Sequence, residues 1–288
     1  MIRHEFIAID EGNSTLLHVS ELDPSKNWFA PIGQSQPRDM QLVGNQKLLV
    51  GHHHGYSEFD IVRGRLTKEF KSLEGITAAR RQPNGHTILA GVDIPPTNGV
   101  VVLELDGRDR EIHRTVFPGD YVRLIRQASN GNYLMSCNDR IREGSPDGIY
   151  LREYPVEGFY HAWKPLRLPN GNLLVTAGYG AFLVELNPDG NILRKIGGKE
   201  SLPAEVRPFF YAMFQLLPHG NIVLANWQGH GPGLGNSGVQ LLELNPSGNM
   251  VWSWSRPEWI SSLQGVLVLD ELDASLLHDE RDGVMKPL

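Results

Sequence analysis

The chain is written in short apolar runs cut by polar turns. One segment recurs: an apolar strand, a turn ending in Asn-Gly or His-Gly, and a second apolar strand. It reads Arg81-Gln-Pro-Asn-Gly-His-Thr-Ile-Leu-Ala, then Gln127-Ala-Ser-Asn-Gly-Asn-Tyr-Leu-Met-Ser, Arg167-Leu-Pro-Asn-Gly-Asn-Leu-Leu-Val-Thr and Leu217-Pro-His-Gly-Asn-Ile-Val-Leu-Ala. Glycine after Asn or His supplies the positive-φ position of a tight hairpin between two strands. The turn glycines Gly85, Gly131, Gly171 and Gly220 follow one another at 46, 40 and 49 residues. That is the period of one four-stranded propeller blade.

A second hairpin follows in most units, as in Phe182-Leu-Val-Glu-Leu-Asn-Pro-Asp-Gly-Asn-Ile-Leu and Val239-Gln-Leu-Leu-Glu-Leu-Asn-Pro-Ser-Gly-Asn-Met-Val-Trp. Pro followed two residues later by Gly suits the turn from strand C to strand D. Each unit therefore reads as strands A to D. Weaker copies fall at Arg38 to Glu69, and at Tyr121 to Tyr154 with a short outer strand. Leu263-Gln-Gly-Val-Leu-Val-Leu-Asp reads as an innermost strand with no successor, and Glu5-Phe-Ile-Ala-Ile-Asp begins at a second strand. Joined, they complete one blade from both ends of the chain, which removes the exposed edge of an open array. The pattern predicts an all-β, six-bladed propeller over residues 1–273 with a C-terminal tail at 274–288. Seven blades would require strands hidden in 201–210 or 255–262.

The C–D words, Leu-Glu-Leu-Asn-Pro-Ser-Gly-Asn-Met-Val-Trp-Ser-Trp above all, resemble the repeats of the quinoprotein-like β-propeller superfamily. That resemblance implies fold. A quinone-dependent member carries eight blades with regular tryptophan docking positions, whereas here Trp252 and Trp254 share one blade, so no quinone cofactor is expected.

Composition narrows the partners. Thirty-three acidic against 27 basic residues give a net charge of -6 with no basic stripe, which argues against nucleic acid or an anionic membrane. No apolar stretch approaches the roughly 20 residues needed to span a bilayer, and the opening residues lack a signal-peptide pattern, so a cytoplasmic location is expected. The single cysteine, Cys137, reads as a small buried residue.

In a propeller the D–A and B–C connections meet at one face around the central channel, where binding groups concentrate. This scheme sends His52, His53, His54, Tyr56, Asp93, Asn138, Asp139, Arg140, Arg142, Tyr179, Asn226, Trp227 and His230 to B–C connections. Starts of inner strands add Arg38, Tyr121, Arg123, Tyr160, His161, Trp163, Lys164, Tyr211 and Gln264. Arginines to grip a carboxylate and aromatic rings to stack on a sugar point to an enzyme on an anionic carbohydrate or similar polar molecule, of lyase or hydrolase type. Catalysis is expected from His161, Tyr179 and Arg123. Ligand binding is expected from Arg38, Tyr56, Asp93, Asp139, Arg142, Trp163, Lys164, Tyr211 and Trp227. A second reading places a divalent metal on His52, His54 and His230, since neutral imidazoles suit such ions. A third makes the ring a non-catalytic platform for protein or ligand binding.

Overall fold

The structure, a computed structural model, describes residues 2–281 and 283–288. Six four-stranded antiparallel sheets form the ring. Blade 1 is the composite one, ordered Leu263–Val268, Glu5–Asp10, Thr15–Ser20, Trp28–Pro31. Blades 2 to 6 begin with Asp39–Leu42, Ile76–Arg81, Ile125–Gln127, Pro165–Arg167 and Phe210–Leu216 and run outward in chain order. The outer strand of blade 4, Tyr150–Pro155, has six residues, so the short strand expected there is full length. Residues 201–210 carry a 3-10 turn, Ala204–Val206, and the start of strand A, and no strand occupies 255–262, so no seventh blade forms. No helix among the described residues is long and apolar enough to cross a membrane.

The turn glycines do what the pattern requires. Gly85, Gly131, Gly171 and Gly220 all have φ between 83° and 92°. A second repeated device was not anticipated. Strand C carries a glutamate at one position in blades 2 to 6: Glu58, Glu104, Glu143, Glu185 and Glu243. The register of strands C and D shifts beside each of them. In four blades this carboxylate reaches back to the residue after the A–B turn glycine. Glu104 meets His86 at 2.6 Å, Glu143 meets Asn132 at 2.8 Å, Glu185 meets Asn172 at 2.7 Å and Glu243 meets Asn221 at 2.6 Å. Arginines at the ends of neighbouring inner strands join in, Arg81 on Glu58 at 2.7 Å and Arg167 on Glu143 at 2.6 Å. One repeated side chain thus fixes the turn, the bulge and the seam between blades.

Closure is by backbone pairing and by charge. Phe6, Ile7 and Ala8 pair with Val268, Leu267 and Val266. Asp10 accepts from the backbone N–H groups of Ser261 and Ser262 at 2.9 and 2.8 Å. His4 spans Asp270 at 2.5 Å and Glu243 of blade 6 at 3.1 Å. Cys137 is fully buried, and burial pushes its thiol pKa up, as an inert core residue requires.

Residues 274–288, which carry no strand pattern, do not trail away from the ring. They return along the face that bears the A–B turns: Asn45 and Gln46 donate to the carbonyls of Ser275 and Ala274 at 3.0 and 2.9 Å. A two-residue ladder, His278–Asp279 with Lys286–Pro287, follows. Between its strands the chain sends Glu280 into the channel, where it is 1% exposed. Its Oε1 accepts from Arg80 at 3.0 Å and Arg126 at 2.7 Å, and its Oε2 from Lys164 at 2.7 Å. Arg126 also holds Asp39 with both terminal nitrogens, at 2.9 and 3.2 Å. Burial alone would raise the Glu280 pKa, but Lys164, Arg126 and Arg80 outweigh it and hold the carboxyl down at about 2.

Two outcomes follow from these contacts. Glu280→Ala strands three buried cations against Asp39 alone, so denaturant unfolding should register a loss of about 3–5 kcal/mol, the range for breaking a buried ion pair. A loss below about 1 kcal/mol would show the carboxylate to be dispensable. At the seam, burial disfavours charge on His4, yet Asp270 and Glu243 prevail and raise its pKa from 6.5 to about 9. A raised pKa contributes stability in full below the unfolded value and loses it as pH climbs through the folded one. The stability gap between wild type and His4→Asn should therefore be widest near about pH 6 and shut by about pH 10.

Candidate functional site

The inner strands begin at the face opposite the tail, and there a cavity of about 70 Å³ sits at the channel mouth. Its wall comes from D–A connections and strand starts (Gln36, Arg38, Arg123, His161, Trp163, Phe210, Gln264) and from B–C connections (Glu11, Tyr179, Trp227, His230). Five of the six blades contribute. Trp163, 2% exposed, is the floor. Arg38 and Arg123 both lie over its ring, at 5.7 and 5.8 Å from the centroid. Arg38 also bonds Gln36 at 2.6 Å. Neither arginine pairs with a carboxylate among the described residues, in contrast to Arg80 and Arg126 deeper in the channel. Burial pushes the Arg123 pKa down.

The cavity also gathers polar atoms with nothing to bond. Arg123 Nε, Trp163 Nε1 and Gln264 Oε1 are buried without a hydrogen-bond partner. A buried polar group left unpaired costs about 1–3 kcal/mol, so three around one small space mark a place that a polar guest or water completes.

His161 is set by its backbone. Its φ of 60° is left-handed, a conformation that costs a residue with a side chain and persists only where neighbours enforce it. Ala162 N–H donates to Asn138 at 3.2 Å, Trp163 N–H to Thr176 at 3.0 Å, and Tyr179 N–H to the Tyr160 carbonyl at 2.9 Å. Gly178 makes the approach achievable, because a Cβ there would lie 2.1 Å from the His161 carbonyl oxygen. Arg123 then donates to His161 Nδ1. A guanidinium only donates, so Nδ1 is the lone-pair nitrogen and the ring proton sits on Nε2. Tyr179 packs edge-on against His161 at 5.6 Å and Phe210 at 4.7 Å.

Across the mouth, Glu11 accepts from Trp227 Nε1 at 3.3 Å and from His230 Nδ1 at 3.0 Å. Beside the arginines stands Tyr121, with Arg123 4.9 Å from its ring centre. Burial raises the phenol's pKa, but Arg38 and Arg123 more than offset it and the net shift is downward.

The structure therefore brings together Arg38, Arg123, His161, Tyr179, Trp163, Trp227 and His230 from the expected set. Others lie elsewhere. Lys164 points down the channel onto Glu280. Tyr56 is buried, its hydroxyl bonding Asp109 while Arg81 lies over its ring. Tyr211 is buried and donates to the Gly197 carbonyl. Asp93 accepts from Gly99 N–H at 2.7 Å and shapes its own loop. Asp139 pairs with Arg140 at 2.7 Å, and Arg142 with Asp120 at 3.0 Å and Glu153 at 3.3 Å, on the rim of blade 4.

The three histidines of the metal reading are not brought together. His52 is buried against Ser57 at 3.2 Å, with its pKa pushed down to about 4 by burial, and His54 bonds the Leu73 carbonyl at 3.1 Å. His230 sits with Glu11 on another blade seam. No group of three or more His, Cys, Asp or Glu among the described residues is arranged to hold a metal.

Glu11, Gln36 and Phe210 were not expected at this face, and Gln264 was expected there as a strand start without an assigned role. Glu11 was readable in principle: it directly follows strand B of the composite blade, close to the position from which Trp227 closes strand B of blade 6.

A larger hollow, about 670 Å³, lies on the outer edge between blades 1 and 6 and is lined by Trp252, Trp254 and Trp259. Its Glu21 is engaged by Trp252 Nε1 at 3.1 Å and by His4 N–H at 2.9 Å.

No protein-family description and no curated protein matches the sequence. Solved structures do match. One is a protein of unknown function from Bacteroides caccae, 21% identical over 94% of this chain and 100% of that one, with a TM-score of 0.74. Another is a catalytically inactive virginiamycin B lyase from Staphylococcus aureus with quinupristin, 10% identical over 88% and 84% of the two chains, TM-score 0.55. A functionally unknown protein from Desulfotomaculum acetoxidans is 12% identical over 92% and 98%, TM-score 0.55. The chain shares the β-propeller fold with these proteins, and some structures of that fold are lyases.

Tyr121 offers a direct test of the field at the mouth. In an ultraviolet titration of tyrosine ionisation, the earliest step should disappear in Tyr121→Phe and move to higher pH in Arg38→Met, because removing a nearby cation weakens the phenolate. An unchanged first step in both variants would show that the arginines do not act on this phenol.

Proposed function

We propose that the protein is an enzyme that binds the anionic head of a small polar molecule, an acidic carbohydrate being the class that fits, and acts on it by acid and base chemistry of lyase or hydrolase type. One observation carries this reading: a buried arginine, Arg38, and a half-buried one, Arg123, both without carboxylate partners, lie over Trp163. A carboxylate placed there would satisfy both forks, and charge-assisted bonds of this kind are the strong ones. Neutralising a carboxylate also makes the adjacent C–H easier to ionise, which gives Arg123 and Arg38 a part in the reaction beyond grip. His161 supports the same reading by presenting an Nε2–H donor toward developing negative charge, with the Tyr179 hydroxyl beside it.

Size sharpens the proposal. Pockets that enclose a whole ligand run to roughly 300–1,000 Å³, whereas about 70 Å³ is free here. The space suits a charged head group whose remaining sugar residues lie across the open mouth, on Tyr179 and Phe209. The likeness of the strand words to quinoprotein-like repeats enters only as architecture.

The test is calorimetry against uronic-acid oligosaccharides and their neutral counterparts. Binding should be confined to the acidic series, and Arg123→Met should weaken it by about 10–100-fold, the loss expected for one charged hydrogen-bonding group. Equal affinity for neutral sugars, or no binding across the acidic panel, would overturn the reading.

A further inference from the structure

We propose that His230, oriented by Glu11, is the proton acceptor of this pocket; the assignment rests on the reading that the mouth holds an anionic substrate. It follows from the directions in which hydrogen bonds can run. Glu11 carries an acceptor-only carboxylate, so the His230 Nδ1 that meets it at 3.0 Å must bear the proton. In the neutral ring that leaves Nε2 with its lone pair, and Nε2 has no hydrogen-bond partner among the described residues. Across the cavity the opposite holds: Arg123 can only donate, so His161 is an Nε2–H donor. One small cavity thus presents an imidazole acceptor on one wall and an imidazole donor on the other, with the paired arginines on the donor's side.

The position of His230 is built. Glu11 is itself fixed: its N–H donates to the Ser262 carbonyl at 2.9 Å, and its carboxylate also takes the Trp227 indole N–H. The His230 ring stands edge-on to Trp227 at 4.6 Å. Its backbone runs between Gly229 and Gly231, with φ of 119° and 87°, values that a glycine adopts without strain. Both flanking carbonyls are tied to the start of blade 1, Gly229 to Ser262 Oγ at 2.5 Å and Gly231 to Ser261 Oγ at 3.3 Å. A histidine exposed over 72% of its side chain is thereby held at one place on the wall. Tyr121 is the other candidate acceptor, but its oxygen is drawn to Arg38 and Arg123, where it would compete with the substrate's carboxylate.

The step this arrangement performs is a β-elimination. His230 Nε2 takes the proton from the carbon next to the neutralised carboxylate. The C–H electron pair becomes a C=C bond as the C–O bond at the next carbon breaks. The leaving oxygen receives the proton back from the His230 imidazolium, which Glu11 stabilises. Nothing is oxidised or reduced, and Glu11 is a positioning residue.

The experiment combines two readings on the full chain. Long-range nitrogen-15 NMR of histidine-labelled protein should show His230, assigned through His230→Gln, in the Nδ1–H form, with Glu11→Gln scrambling that preference. Acylation of His230 by diethyl pyrocarbonate, followed by mass spectrometry, should be about tenfold slower in Glu11→Gln, and trigalacturonate should protect wild type but not Arg123→Met. His230 found as the Nε2–H tautomer, or unreactive in wild type, overturns the assignment. The expected tautomer and reactivity without protection by trigalacturonate would support the acceptor and instead sink the acidic-sugar reading.

Discussion

A carboxylate from the chain's last turn, Glu280, settles the electrostatics of the whole ring. Inner strands of blades 3, 4 and 5 each aim a cation at the axis, Arg80, Arg126 and Lys164, and blade 2 supplies Asp39 alone in reply. Three cations facing one anion in a dry channel would be prohibitive, since each buried ion forfeits several kcal/mol of hydration. Glu280 answers all three with two oxygens. The ring is therefore joined twice by sequence-distant partners: at its rim by the composite blade, and at its axis by the tail.

The same carboxylate determines where positive charge remains available. Below Trp163 every channel cation is matched, whereas above it Arg38 and Arg123 are not. Trp163 and Lys164 are neighbours in sequence with opposite duties, the indole flooring the mouth and the ammonium reaching down to Glu280. Inner strands alternate faces and the channel is narrow, so a one-residue step is enough to divide a binding face from a structural lock.

How far this was legible follows from period. Asn-Gly turns recurring at blade spacing carry the ring, the strand order and even the composite blade, because turn chemistry and alternation are local. The strand C glutamates were visible as repeated letters, yet their partner, the residue after the turn glycine, is distant along each strand pair, so their function as clamps needed coordinates. The tail was opaque for the same reason. His278-Asp279-Glu280 has no alternation, and its place comes from charges scattered over four blades. At the site, placing residues at the mouth by connection type found most of the wall. It failed for Lys164, Tyr56 and Tyr211, which sit at the right height but face blade seams or the axis, a matter of side-chain direction that connection type does not encode.

The two histidines show what geometry adds beyond membership of a cluster. As letters, His161 and His230 are interchangeable, and a sequence reading assigns one to catalysis and the other to metal. As placed, each has its Nδ1 committed to a partner of one fixed polarity: a guanidinium that can only give, and a carboxylate that can only take. The free nitrogens are thereby forced into opposite states. A pocket with a fixed donor, a fixed acceptor and two arginines without carboxylate partners is organised before any ligand arrives, which is the preorganisation that the proposed acid and base chemistry requires.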